Sequence, residues 1–215
     1  MIRHPENSVK KFPARKPVEY FLVFTPPTRL VMKTKITGIL LLAVTISLIS
    51  FRAVESRFAK KSFFNSSPDG TIYILIDKSD YELRVYDDEG WYATYPAVFG
   101  NKSLNDKMME GDRNTPEGTF KIVNKRPHEK WHKIAPIDYP NKESWEKFNQ
   151  RKAEGLIPKT ARIGGGIAIH GTWPNDNIVV DDYTNWTQGC ISIKNGDLDE
   201  LFSYLPIGTK VIIRK

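Results

Sequence analysis

Among 215 residues only one, Cys190, is a cysteine, so the chain can close no intramolecular disulfide. In an exported protein a lone thiol is either buried or kept for its reactivity. Basic charge is also missing where a nucleic-acid binder would need it, although the overall pI is 9.3. Residues 1–60 hold eleven Lys/Arg against three Glu, which leaves 21 Lys/Arg and 22 Asp/Glu for residues 61–215. A near-neutral remainder has no clustered cationic face for phosphates, and nucleic acid is excluded as a partner. Internal repeats are absent as well. No sequence feature speaks to oligomeric state.

Long apolar runs are scarce, and the longest uncharged one is Ile36–Phe51, 16 residues. A spanning helix needs about 17–25, a length that Val54 supplies if Arg52 snorkels to the interface. Arg29, Lys33 and Lys35 precede the run and put that side in the cytoplasm. Residues 36–54 are therefore read as a transmembrane anchor or a signal peptide, and the missing small-x-small cleavage site favours the anchor. The domain beyond is expected on the periplasmic side of the cell inner membrane, or free in the periplasm if the segment is cleaved. Residues 1–35 form a basic N-terminal segment in which Met32 is expected to be the true initiator. Residues 55–69 read as a linker, since Lys60–Gly70 clusters Ser, Asn, Pro, Asp and Gly.

What is present is an ordinary folded composition, 40% hydrophobic and 27% charged, gathered in residues 70–215. Thr71–Asp77, Tyr81–Tyr86, Trp91–Phe99, Gly118–Val123, Ile167–His170, Cys190–Ile193 and Lys210–Arg214 read as strands. Asp87-Asp88-Glu89-Gly90 reads as a hairpin turn. Glu143–Glu154 reads as a short helix, and Asn195 as the cap of another with Leu198, Leu201, Phe202 and Leu205 on one face. The expected class is mostly β with short helices, a barrel or sandwich.

Cys190 lies in Thr187-Gln188-Gly189-Cys190-Ile191-Ser192. Glycine beside cysteine lets the backbone approach a substrate and frees the Gly189 and Cys190 amides to point at one oxygen. A thiol of pKa about 8.5 needs a partner to take its proton at neutral pH, and His170, ending a strand in Ile167-Ala168-Ile169-His170-Gly171-Thr172, is the candidate. The alternative is a small buried hydrophobe beside a hydrogen-bonded strand end. His128-Glu129-Lys130-Trp131-His132 matches the zinc-protease pattern H-E-x-x-H, which works only on a helix. Pro127 and Pro136 bracket it, so it is read as a polar loop near a groove. Asp176, Asp181 and Asp182 fit no calcium loop and read as solvated, while Asp112, Arg113 and Asn114 read as an ordinary turn. No metal and no cofactor is expected.

His170-Gly171-Thr172, a loop, then Thr187-Gln188-Gly189-Cys190 resembles the catalytic signature of the L,D-transpeptidase (YkuD-type) family. Asp77-Lys78, Leu83-Arg84-Val85-Tyr86, Thr115-Pro116-Glu117-Gly118-Thr119-Phe120, Tyr139-Pro140-Asn141 and Gly164-Gly165-Gly166-Ile167 resemble other segments of it, so the likeness covers residues 70–215. It implies an L,D-transpeptidase-like β-barrel or sandwich in which Cys190 attacks a stem-peptide carbonyl of peptidoglycan and His170 is the base. The Gly171 carbonyl would orient the imidazole, and the Gly189 and Cys190 amides, with Gln188, would bind the oxyanion. Two positions depart from the pattern: Gln188, where His or Ser is frequent, and Ser192, where Arg or Asn is common. A hydroxyl lacks the bidentate carboxylate grip of Arg, and Asn195 or Lys194 could compensate. Trp173 and Trp186, with Tyr183, either line a groove for the sugar–peptide substrate or pack beneath the loop. The resemblance also leaves room for an amidase or L,D-carboxypeptidase on the same fold, or a catalytically silent wall-binding module.

Overall fold

The computed structural model describes residues 67–215; the apolar segment 36–54, the Met32 start and most of the linker lie outside the described residues. Among the described residues no helix is long and apolar enough to cross a membrane.

Alternation of branched side chains drives the first sheet. In β1 (Tyr73–Asp77) Ile74 and Ile76 point inward, and in the antiparallel β2 (Glu82–Asp87) they face Val85 and Leu83. All four are fully buried, each burial contributing roughly 1.5–3 kcal/mol. The turn at Asp87 leads into β3 (Gly90–Pro96), and Asp87 Oδ1 accepts the Glu89 amide at 3.0 Å. β4 (Gly118–Lys121) lies at the far edge. The last strand, β9 (Lys210–Arg214), pairs parallel with β1 and antiparallel with β4. The order is β3-β2-β1-β9-β4.

The second sheet has the order β5-β6-β7-β8, made of Arg126–His128, His132–Pro136, Ala168–His170 and Ile191–Ser192. Bridges from Val98 to Ser192 and from Ile122 to Ile137 link the two sheets, and one apolar cluster draws residues from both. Three helices complete the domain. α1 (Lys142–Ala153) is capped by Asn141, whose side chain accepts from Ser144 N at 3.0 Å, and α2 (Ile178–Asp181) is a single turn. α3 (Asn195–Tyr204) buries Leu198 and Leu201.

The mostly β expectation with short helices holds, with shifts at particular places. The strand expected over Trp91–Phe99 ends at Pro96, because the Ala97 amide turns to the Tyr81 carbonyl at 2.8 Å. The strand expected over Cys190–Ile193 contracts to Ile191–Ser192, leaving Cys190 on the loop before it. The segment read as a polar loop, His128–His132, is the turn of the hairpin β5–β6, with its two end residues belonging to the strands. Pro127 is tolerated there because β5 is an edge strand. The N-cap of α3 is Lys194, not Asn195; the Asn195 side chain is engaged elsewhere.

Candidate active site

Parallel pairing of β7 with β8 brings the two reactive side chains together. Ile169 pairs with Ile191 and His170 with Ser192; one step back, Cys190 lies level with Ala168. Paired residues of a parallel ladder share a face, so His170 and Ser192 project to one side, and Cys190 stands on the loop that leads into β8. Cys190 is half-buried, whereas His170 is 1% exposed.

The imidazole is held from three directions. Its Nδ1 lies 2.7 Å from the Gly171 carbonyl oxygen; that oxygen can only accept, so Nδ1 carries the proton and Nε2 presents a lone pair. Ser192 Oγ donates to the same oxygen at 3.2 Å. One ring face lies against Trp131, centroids 4.7 Å apart and 25° from parallel, and Trp186 meets the ring edge-on at 5.3 Å. Beyond Trp131 lies His128, stacked at 4.5 Å and 5°, so the three rings form one column. Burial lowers the His170 pKa from 6.5 to about 4; the Gly171 carbonyl works against this and the neighbouring His128 adds to it. Burial pushes the Cys190 thiol up, opposed by the Ala168 amide and Lys107. At neutral pH both groups are therefore uncharged, a thiol and an imidazole rather than an ion pair.

Two glycines make this approach possible. A Cβ on Gly171 would stand 2.2 Å from Asn195 Oδ1 and 3.0 Å from the Trp131 carbonyl. Gly189 has φ of 117°, and its Cβ would lie 2.7 Å from the Asn114 carbonyl oxygen, closer than any side chain tolerates. The loop between them is tied by Thr187, whose Oγ1 accepts the Gly189 amide at 3.1 Å and donates to the Cys190 carbonyl at 2.8 Å. Arg113 braces it from outside, donating from Nε to the Thr187 carbonyl at 3.3 Å and from its terminal nitrogen to Gly100 at 2.9 Å. The Sγ itself donates to the Gly166 carbonyl at 3.5 Å; among the described residues no hydrogen bond joins it to the ring.

The expected site residues take distinct places. Cys190, His170, Gly171 and Gly189 converge. The Gly189 amide is already engaged by Thr187, while those of Gln188 and Cys190 have no acceptor among the described residues. Gln188 is exposed. Ser192 is sealed from solvent and serves the Gly171 carbonyl, not the open surface. Asn195 Oδ1 accepts the Thr172 amide at 2.9 Å, fixing the chain just after the histidine. Trp173, 40% exposed, lies against Trp186 with centroids 4.0 Å apart and the planes tilted by 37°. The sequence reading missed Trp131, His128 and Arg113 as parts of the site. The zinc pattern drew notice to the first two for an unrelated reason, and nothing in the sequence signals the stack. No cluster of His, Cys, Asp or Glu able to hold a metal occurs among the described residues.

Residues 71–213 match the family model YkuD, described as the L,D-transpeptidase catalytic domain. YqjB of Bacillus subtilis (strain 168), provisionally named an L,D-transpeptidase, is 28% identical over 148 residues, covering 67% of this chain and 72% of its own. A mutant of the helical cell shape determining protein Pgp2 from Campylobacter jejuni aligns with a TM-score of 0.50 at 26% identity, over 68% of this chain and 48% of that one. Bd1075 of Bdellovibrio bacteriovorus gives 0.48 at 21% identity, over 73% and 51%. The chain spans about half the length of these two solved structures.

Proposed function

The chain belongs to the L,D-transpeptidase catalytic-domain family, and from that premise we propose that it acylates Cys190 with a peptidoglycan stem peptide and passes the acyl group to an amine. The observation that carries this reading is a partly exposed thiol on the loop entering β8, the strand paired with the one that ends in a buried, neutral imidazole whose Nε2 is unprotonated.

As Sγ attacks the carbonyl of the third stem residue, its proton passes to Nε2 of His170 and a C–S bond forms. The Gln188 and Cys190 amides are the donors free to meet the oxyanion. Collapse breaks the C–N bond to the terminal D-residue, whose amine leaves with the proton from His170. The thioester is then attacked by an acceptor amine, His170 takes the amine proton, and Sγ leaves and regains it. General-base action suits a site where burial disfavours both ions: charge appears only as the bond forms. Because peptidoglycan lies outside the cytoplasmic membrane, this function places the domain on the extracytoplasmic side, with residues 36–54 as its anchor or leader.

A second reading is hydrolysis at the same thioester, acting as an L,D-carboxypeptidase or amidase. Sealed Ser192 favours it, since the position offers no cation to grip a stem carboxylate. The test is to incubate the full chain with purified disaccharide-tetrapeptide and measure product masses. Cross-linked dimers support transfer, whereas loss of the terminal residue without dimers supports hydrolysis. No product, with no carbapenem adduct at Cys190, supports a silent binding module. Turnover that persists in Cys190→Ala would overturn both enzymatic readings.

A further inference from the structure

The thiol points at a strip of bare backbone. Its hydrogen-bond acceptor is the Gly166 carbonyl, and Gly165 and Gly166 are both exposed. Three consecutive glycines, Gly164 to Gly166, carry no side chain that could hold an incoming chain away. Among the described residues the amides of all three, and the carbonyls of Gly164 and Gly165, have no hydrogen-bond partner. Gly164 and Gly166 stand in the left-handed region, with φ of 76° and 71°, so the strip turns as it runs and leaves free main-chain donors and acceptors open to a second peptide chain.

At the end of this strip away from the thiol, Gly164 and Gly165 become the floor of a cleft of about 510 Å³, within the range of small-ligand sites. Trp145 and Phe148 of α1 form its apolar wall. Trp145 is 46% exposed and is propped edge-on against Phe148, with ring centroids 5.9 Å apart and 87° between planes. The Glu110–Arg162 ion pair, 3.1 Å, stands at its rim. A fixed, open indole face beside charged hydrogen-bonding groups is the chemistry that receives a sugar ring: C–H bonds lie on the indole and hydroxyls reach the rim.

Resting on the acyl-transfer reading above, we propose that residues 164–166 and the adjoining cleft are the donor track. The stem peptide pairs with the glycine strip, and the amino sugar at its head lies on Trp145. A stem peptide lying along the strip leads from a sugar in the cleft, at Gly164 and Gly165, to the carbonyl that Sγ attacks beside Gly166. The strip and the cleft follow one another in the order the substrate requires.

The structure supplies its own probes. A Cβ at Gly165 would meet nothing closer than Pro140 Cδ at 3.7 Å, so Gly165→Ala fits the fold yet sets a methyl on the strip. Trp145→Ala removes the platform from an exposed helix face. We would compare kcat/KM for disaccharide-tetrapeptide and for the same tetrapeptide without sugar, using the full chain. The wild type should favour the sugar-bearing substrate by about tenfold, and Trp145→Ala should bring the ratio near one. Gly165→Ala should raise KM for both substrates about tenfold, while iodoacetamide alkylation of Cys190 keeps its wild-type rate. An unchanged ratio in Trp145→Ala, or wild-type KM in Gly165→Ala, overturns the proposal while leaving the acyl-transfer reading intact. If the wild type turns over neither substrate, the acyl-transfer reading fails. Disaccharide-tetrapeptide binding to Cys190→Ala, followed by tryptophan fluorescence, then decides the track: binding that Trp145→Ala weakens supports it, and its absence overturns it.

Discussion

Replacing Trp131 with alanine should move the titration of His170, and the stack sets the direction. His170 is 1% exposed, and burial holds its pKa at about 4, against 6.5 in water. At 1.36 kcal/mol per unit this penalises the imidazolium by about 3 kcal/mol. Trp131 covers one whole ring face at 4.7 Å, so its removal admits water and should recover about 1 kcal/mol, close to one pKa unit. An indole face also attracts a cation, by about 0.5–2 kcal/mol, and that term alone would make the pKa fall on removal. Burial is the largest cause of the lowered pKa, so exclusion of water is expected to outweigh that attraction. The assay is an NMR titration of the histidine rings, with His170→Gln assigning the signal, alongside the pH profile of kcat/KM. The acid limb should lie near pH 4 in the wild type and about one unit higher in Trp131→Ala. A wild-type midpoint near 6.5, or one that moves downward in the variant, would refute this account of the stack.

Stability should depend on pH through the same group. Between pH 6.5 and about 4 the unfolded chain binds the His170 proton and the folded chain does not. Stability is therefore full above pH 6.5 and falls on acidification by up to about 3 kcal/mol, to be read from urea midpoints; His170→Gln should flatten this part of the curve. Ser192→Ala should cost about 1 kcal/mol by removing one donor to the Gly171 carbonyl. It should lower kcat up to tenfold at unchanged KM, and a large rise in KM would show that the hydroxyl meets substrate after all. Lys78, 1% exposed, pairs with Glu117 at 2.7 Å and donates to the Asn105 and Thr115 carbonyls at 3.0 and 3.3 Å. Lys78→Met should cost about 3 kcal/mol, measured by thermal and chemical unfolding; wild-type stability would show that these acceptors find water readily.

The legible parts of the fold were those written in alternation. Ile74 and Ile76 against Val85 and Leu83, and the closing strand Lys210–Arg214, follow the period of two that a half-buried sheet imposes. The hairpin β5–β6 escaped because its strands are short, polar and carry prolines, and only its edge position makes Pro127 acceptable. At the site, Cys190, His170 and the two close-packed glycines were readable because chemistry and sterics restrict those positions to one residue type. Ser192 was readable as an oddity but not as a support, since its role depends on which way β8 faces. Trp131 stacks on His170 across 39 residues of chain, and Arg113 reaches the Cys190 loop across 74; contacts of that range leave no local pattern.

The place of β9 bears on how the molecule is made. The C-terminal strand of the domain does not lie at the rim of its sheet but is wedged between β1 and β4, with Val211 and Ile213 in the core. Until it arrives, an early meander of β1, β2 and β3 has nothing on its open side, and β4 has no neighbour in that sheet. Closure is thus a late, long-range event joining the two ends of the domain, the kind of step that slows folding.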